Sequence, residues 1–193
     1  MAEPRPPARA VALTDRLARP VRRFLRAHDG AAAVEFALIA PAMMLLYSGL
    51  VELCQAMIAE RKANHVASAV GDLVAQVDTL TASDVDDIFS IGNTIMSPFP
   101  VSTLQMRVTS LTANAQGTPL VDWSRGSGGM TKLATGSTQT IPLTMASGDS
   151  IVMTEAKYSY TSVVQYILPN ALNYNETYYL RPRRSDKVIC TGC

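Results

Sequence analysis

Hydrophobic and polar positions change their rhythm several times along the chain. Phe36 to Val51 contains no charged residue. With Ala31–Val34 it makes a run of roughly 20 residues, enough to cross about 30 Å of hydrocarbon at 1.5 Å per residue. A helix buried in a soluble protein is rarely apolar on all sides over such a length. The run therefore predicts a membrane-spanning helix, kinked at Pro41. Beyond it, Ala56, Ala59, Ala63, Val66, Val70, Leu73, Val77 and Leu80 recur by threes and fours. Glu60, Arg61, Lys62, Asn64, Asp72 and Gln76 fall on the other faces. This spacing predicts one helix from about Ala31 to Thr79, half in lipid and half amphipathic. A free coiled coil and a helix lying on a sheet both fit, and the short, alanine-rich stripe favours the sheet.

After Thr81 the elements shorten. Thr81 and Asp84 form a capping pair, and Val85, Ile88, Phe89 and Ile95 predict a second helix that ends at Pro98 and Pro100. Asp84, Asp86 and Asp87 lack the glycine and distal glutamate of a calcium loop. They read instead as first-turn acids that suit the helix dipole. Residues 103–113 alternate through Leu104, Met106 and Val108 as a half-buried strand, AQGTP turns the chain, and LVDWS returns as its partner. Residues 125–140 are rich in glycine and serine, read as an exposed connection, and hold no phosphate-loop pattern. Residues 150–164 predict a strand with Val152, Thr154, Ala156, Tyr158 and Tyr160 on one face. Residues 177–184 predict an edge strand, since Pro182 cannot complete a ladder. Between the two, 163–173 reads as a short helix or an apolar loop broken by Pro169. The fold class that follows is α+β, a long N-terminal helix packed on a small antiparallel sheet.

Charge gives the helix a direction. The chain is 48% hydrophobic and only 17% charged, against about 25% in soluble proteins. Its net charge of +1 argues against a nucleic-acid partner. Arg16, Arg19, Arg22, Arg23 and Arg26 crowd the segment before the apolar run, whereas Arg61 and Lys62 follow it only beyond Glu52 and Glu60. The positive-inside rule then puts the N-terminus in the cytoplasm. The expected organisation is a basic leader over residues 1–30, a transmembrane helix over 31–58, and an exported α+β domain over 59–193. An ordinary secretory signal fits poorly, because no small-x-small cleavage site follows the apolar stretch.

Candidate chemistry is sparse. Three cysteines and two histidines, His28 and His65, do not suggest a zinc site, and no metal or other cofactor is expected. Cys54 reads as an apolar residue of the membrane helix. Cys190 and Cys193 close the sequence as C-x-x-C without the helix start that a redox motif uses. A small local disulfide and two free thiols both remain open. Arg181, Arg183, Arg184 and Lys187 form a basic patch. It reads either as edge-strand protection or as a contact for an acidic partner. No nucleophile, base and orienting group can be assembled, so an enzyme is not expected.

Glu35 needs a separate account, because a carboxylate at the start of a membrane helix is either interfacial or functional. Gly30 is followed by Ala31-Ala32-Ala33-Val34-Glu35-Phe36. This arrangement resembles a type IV prepilin processing site. The wider string GAAAVEFALIAPAMMLL resembles the TadE/TadF-like pseudopilins of tight-adherence (Flp) pilus systems, which commonly carry G-x-x-x-V-E-F-A-L-x-x-P. VDWSRG (121–126), EAKYSY (155–160) and RPRRSDKV (181–188) resemble the family's sheet segments more weakly. The resemblance implies a pilin-like exported part and cleavage by a prepilin peptidase between Gly30 and Ala31. It implies that Glu35 is the assembly carboxylate and Phe36 the adjacent packing residue. The partners it implies are the peptidase, other pilins or pseudopilins with their assembly machinery, and inner-membrane lipid. The expected function is that of a minor pseudopilin in pilus biogenesis. The alternative is an unprocessed single-pass anchor whose exported domain binds a ligand or envelope component.

Overall fold

The N-terminal helix α1 runs unbroken from Asp29 to Ala75, 47 residues with Pro41 inside it. It is the first element of a computed structural model that describes residues 29–162 and 170–193. The chain divides into two compact units, Met1–Gly49 and Leu50–Cys193. In the first, every large apolar side chain from Val34 to Tyr47 is exposed. By length and composition, α1 is apolar enough to cross a membrane.

In the second unit one face of α1 turns inward. Glu52, Ala56, Ala59, Ala63, Val66, Val70 and Val74 are buried at separations of three and four. The helix stops at Ala75 rather than Thr79, and the Arg183 backbone N–H donates to the Ala75 carbonyl at 2.9 Å. Strand β1 (Thr79–Thr81) follows and carries Leu80 into the core from a strand instead. Two apolar residues at helical spacing cannot distinguish a last helical turn from a turn and a strand. Helix α2 (Ala82–Met96) begins with a reciprocal capping box. The Asp84 backbone N–H donates to Thr81 Oγ1 at 3.3 Å, and the Thr81 N–H donates to the Asp84 carboxylate at 2.7 Å. The Thr81 N–H and the Thr81 hydroxyl, which also donates to that carboxylate at 2.8 Å, hold the Asp84 carboxyl below the usual range, the backbone bond contributing most.

Four strands follow: β2 (Gln105–Ala113), β3 (Pro119–Ser127), β4 (Ser150–Tyr160) and β5 (Leu172–Leu180). They form an antiparallel sheet in the order β3-β2-β4-β5. Strand β6 (Ile189–Thr191) pairs parallel with β1 in a separate two-stranded sheet. β5 starts earlier than the sequence suggested and ends before Pro182, and RPRRSDKV is a connection rather than a strand. β4 ends at Tyr160, not at 164. Of the expected helix or loop at 163–173, residues 163–169 lie outside the described residues, while Leu172 and Asn173 open β5.

The sheet carries two apolar clusters. Met106, Val108, Val152, Ala156, Tyr158 and Tyr160 pack with α1 and α2. Leu111, Ala113, Val121, Ile151 and Met153 form a smaller cluster with Met145. The β2–β3 register shifts between Ser110 and Leu111, where Asp122 of β3 is passed over, while β2 pairs with β4 without a break. Because side chains alternate in a strand, the odd-numbered Leu111, Ala113, Ile151 and Met153 lie on the face opposite Met106, Val108, Val152 and Ala156. The glycine- and serine-rich connection is therefore more than an exposed loop. Its first residues, Arg125–Ser127, belong to β3, and Leu133 and Ile141 cover the second cluster. Gly136 and Ser137 exchange backbone hydrogen bonds with Val121 at 2.7 and 3.0 Å, which ties the loop to the edge strand. Arg107 and Glu155, directly opposed on β2 and β4, form a bidentate pair at 2.6 and 2.8 Å.

α1 comes close to the sheet at Gly71. A Cβ there would lie 2.5 Å from Leu180 Cδ1 and 2.6 Å from Thr154 Oγ1. Gly71→Ala should therefore lower stability by about 1–3 kcal/mol through overpacking, although alanine is the better helix former. Urea unfolding in detergent, followed by fluorescence of the single tryptophan, the buried Trp123, measures this. An unchanged midpoint would contradict the close packing.

Candidate functional site

The Gly30–Phe36 segment lies in the first turns of α1. Gly30 is exposed, and a Cβ built on it meets nothing within 4 Å. Its φ is not positive either, so neither packing nor backbone geometry calls for glycine at this position. A helical glycine is about 1 kcal/mol worse than alanine, so the residue carries a small local cost. Ala31 is exposed, and Glu35 lies four residues further on, about 6 Å along the axis and on the same face. Glu35 is exposed and has no hydrogen bond or ion pair among the described residues. Phe36 beside it is 72% exposed.

A second carboxylate, Glu52, was not singled out by motif. It is 5% exposed, and neither of its oxygens has a hydrogen-bond partner among the described residues. It heads the buried stripe, four residues before Ala56, and that spacing was the available signal. Burial raises the Tyr160 phenol above its ordinary value, and the Glu52 charge adds to the shift. The Tyr174 hydroxyl donates to the Ala56 carbonyl at 3.0 Å.

Other candidate groups are used inside the fold. Asp84 serves the α2 cap, and Asp86 accepts two bonds from the Arg125 guanidinium at 2.8 and 2.5 Å. That pairing draws the Asp86 carboxyl below its usual range. In the basic patch, Arg183 pairs with Asp72 near the end of α1, and Arg181 reaches Asp149 at 3.3 Å. Arg184 and Lys187 are exposed. Among the described residues no group of His, Cys, Asp or Glu is arranged to hold a metal ion.

Residues 30–72 match the model of the family described as TadE-like protein. Over these residues the chain is similar to TadE-like proteins. The TadE-like segment begins at Gly30, includes Glu35, Phe36 and Glu52, and ends beside Gly71, so it lies wholly on α1. VDWSRG, EAKYSY and RPRRSDKV lie outside it. No curated protein and no solved structure matches the chain.

Far from the TadE-like segment in sequence, Cys190 and Cys193 are joined by a disulfide with a Cα–Cα separation of 5.8 Å. The bond closes a very short loop at β6, and Lys132 Nζ donates to the Cys193 carbonyl at 3.0 Å. A loop of this length constrains the unfolded chain little, roughly 2 kcal/mol on chain-entropy grounds. Reduction should lower the unfolding midpoint while leaving Trp123 buried in the folded state. A reduced protein with solvent-exposed Trp123 fluorescence under native conditions would contradict this.

Proposed function

We propose that the protein is a minor pseudopilin of a tight-adherence (Flp) pilus system, processed after Gly30 by a prepilin peptidase. Its α1 is held in the inner membrane with the leader on the cytoplasmic side. The remainder faces the periplasm or the exterior. It acts by packing against other pilin subunits and not by catalysis. The observation that carries this reading is a glycine the fold does not require, in the first turn of an α1 whose Glu35 has no partner among the described residues. A residue without a role in the fold suits recognition by something else, and an absent side chain lets the scissile backbone approach an enzyme groove.

Cleavage would turn Ala31 into a positively charged amine at neutral pH. Glu35, one turn away, would then meet both that amine and the positive end of the helix dipole. Its carboxylate could be satisfied by its own terminus or by that of a neighbouring subunit. The TadE-like match supports the same assignment, since it starts at Gly30. The surrounding stretch is exposed and apolar, which suits lipid and partner helices.

Two outcomes follow. With the cognate peptidase present, the chain should shorten by its 30-residue leader, and Gly30→Leu should abolish the shortening on a gel. Shortening that persists in Gly30→Leu would remove the glycine from the mechanism. Glu35→Ala should insert in the membrane and be processed as usual yet impair piliation when cells are examined by electron microscopy. Normal piliation would exclude the assembly role.

A further inference from the structure

The free face of α1 stays apolar past the point where its other face begins to pack. Within the second unit Leu50, Leu53, Met57 and Ile58 are between 44% and 55% exposed, and Cys54 is exposed with them. Their separations of three, one, three and one define a single helical face. It lies opposite Glu52, Ala56, Ala59 and Ala63, which are buried. An ordinary soluble helix would carry charge on such a face. Here Glu52 is the only carboxylate or basic side chain between Phe36 and Ala59, and it points to the buried side. Both its oxygens lack hydrogen bonds there among the described residues. Burying a carboxylate so poorly satisfied is costly, whereas water on the free face would solvate it at no such cost.

Length identifies what the free face meets. Counted from Phe36, about 20 residues fill a 30 Å hydrocarbon layer, which then ends near Gln55. The headgroup layer takes up the next turn or so, and the first charges, Glu60 and Arg61, come after it. Tyr174 is fixed at this level by its bond to the Ala56 carbonyl. Tyrosine is favoured where hydrocarbon gives way to water.

We propose that bilayer lipid covers the free face of α1 as far as Ile58, so that the sheet begins to pack on the helix at Ala56 while still at headgroup depth. This rests on reading α1 as a membrane helix. It goes further by assigning lipid to one side of a helix whose other side is already core. Glu52 is thereby withheld from the lipid by the unit's own packing.

Cys54 is a native reporter, because the other two of the three cysteines form the disulfide. The full chain, spin-labelled at Cys54 in detergent, is reconstituted into vesicles of phosphatidylethanolamine and phosphatidylglycerol. Glu60→Cys in a Cys54→Ala background serves as the reference. The ratio of oxygen to aqueous nickel-complex collisions should be at least about fivefold higher at 54 than at 60, since a polar complex is excluded from hydrocarbon. Equal ratios would mean that water covers the face. Low collision rates with both reagents, or Cys54–Cys54 cross-linking of unlabelled protein, would mean that protein covers it. Either result overturns the lipid assignment alone. Release of the chain from vesicles by carbonate would overturn the membrane reading beneath it.

Discussion

Close approach of a small-residue helix face to a sheet is the contact on which the second unit depends. Ala56, Ala59 and Ala63 are fully or almost fully buried, and Gly71 leaves no room for even a methyl group beside Thr154 and Leu180. Such residues add little apolar area of their own. Their contribution is proximity, which lets Val152, Ala156 and Tyr158 of β4 pack together with Val66, Val70 and Val74 of α1. α2 joins through the same device, since a Cβ at Gly92 would lie 2.7 Å from Met106 Sδ and 3.2 Å from Val70 Cγ2. Two glycines in helices, each unfavourable locally, are thus accounted for by tertiary contact. Gly30 has no such account within the fold.

One helix therefore answers to different surroundings along its length. Toward its start it is apolar and exposed, with the Glu35 carboxylate, which has no partner among the described residues, in its first turns. Further on it divides into a narrow buried stripe and an outer face. Glu52 stands where the division begins. The two carboxylates differ in kind: Glu35 is exposed and open to a new partner, whereas Glu52 is covered by its own unit. Proteolysis is what would give Glu35 a nearby cation, and the helix geometry of four residues makes that coupling local.

Much of this was legible because local rules and tertiary packing agree. The Ala56-to-Val70 stripe, the Thr81–Asp84 cap and the Val152-to-Tyr160 face all appear where their periodicity indicated. The C-terminal end of α1 was not legible, since Val77 and Leu80 continue the spacing but reach the core from a turn and a strand. The parallel pairing of β1 with β6 joins residues more than a hundred positions apart, and no local pattern encodes it. The second cluster was hidden because it lies on the sheet face opposite the one that packs with α1, under a glycine-rich loop whose few apolar residues lack any period. For the site, Gly30 and Glu35 were visible through resemblance to a known motif. Glu52 required knowing which face of α1 is covered.

The central claim is that a cut after Gly30 and the charge on Glu35 form one device. N-terminal sequencing of the membrane-extracted protein from cells with the cognate peptidase tests it most directly. The account predicts a sequence beginning Ala31-Ala32-Ala33-Val34-Glu35. A sequence beginning at Met1 or Ala2 in those cells would contradict it and leave the protein as an unprocessed membrane anchor.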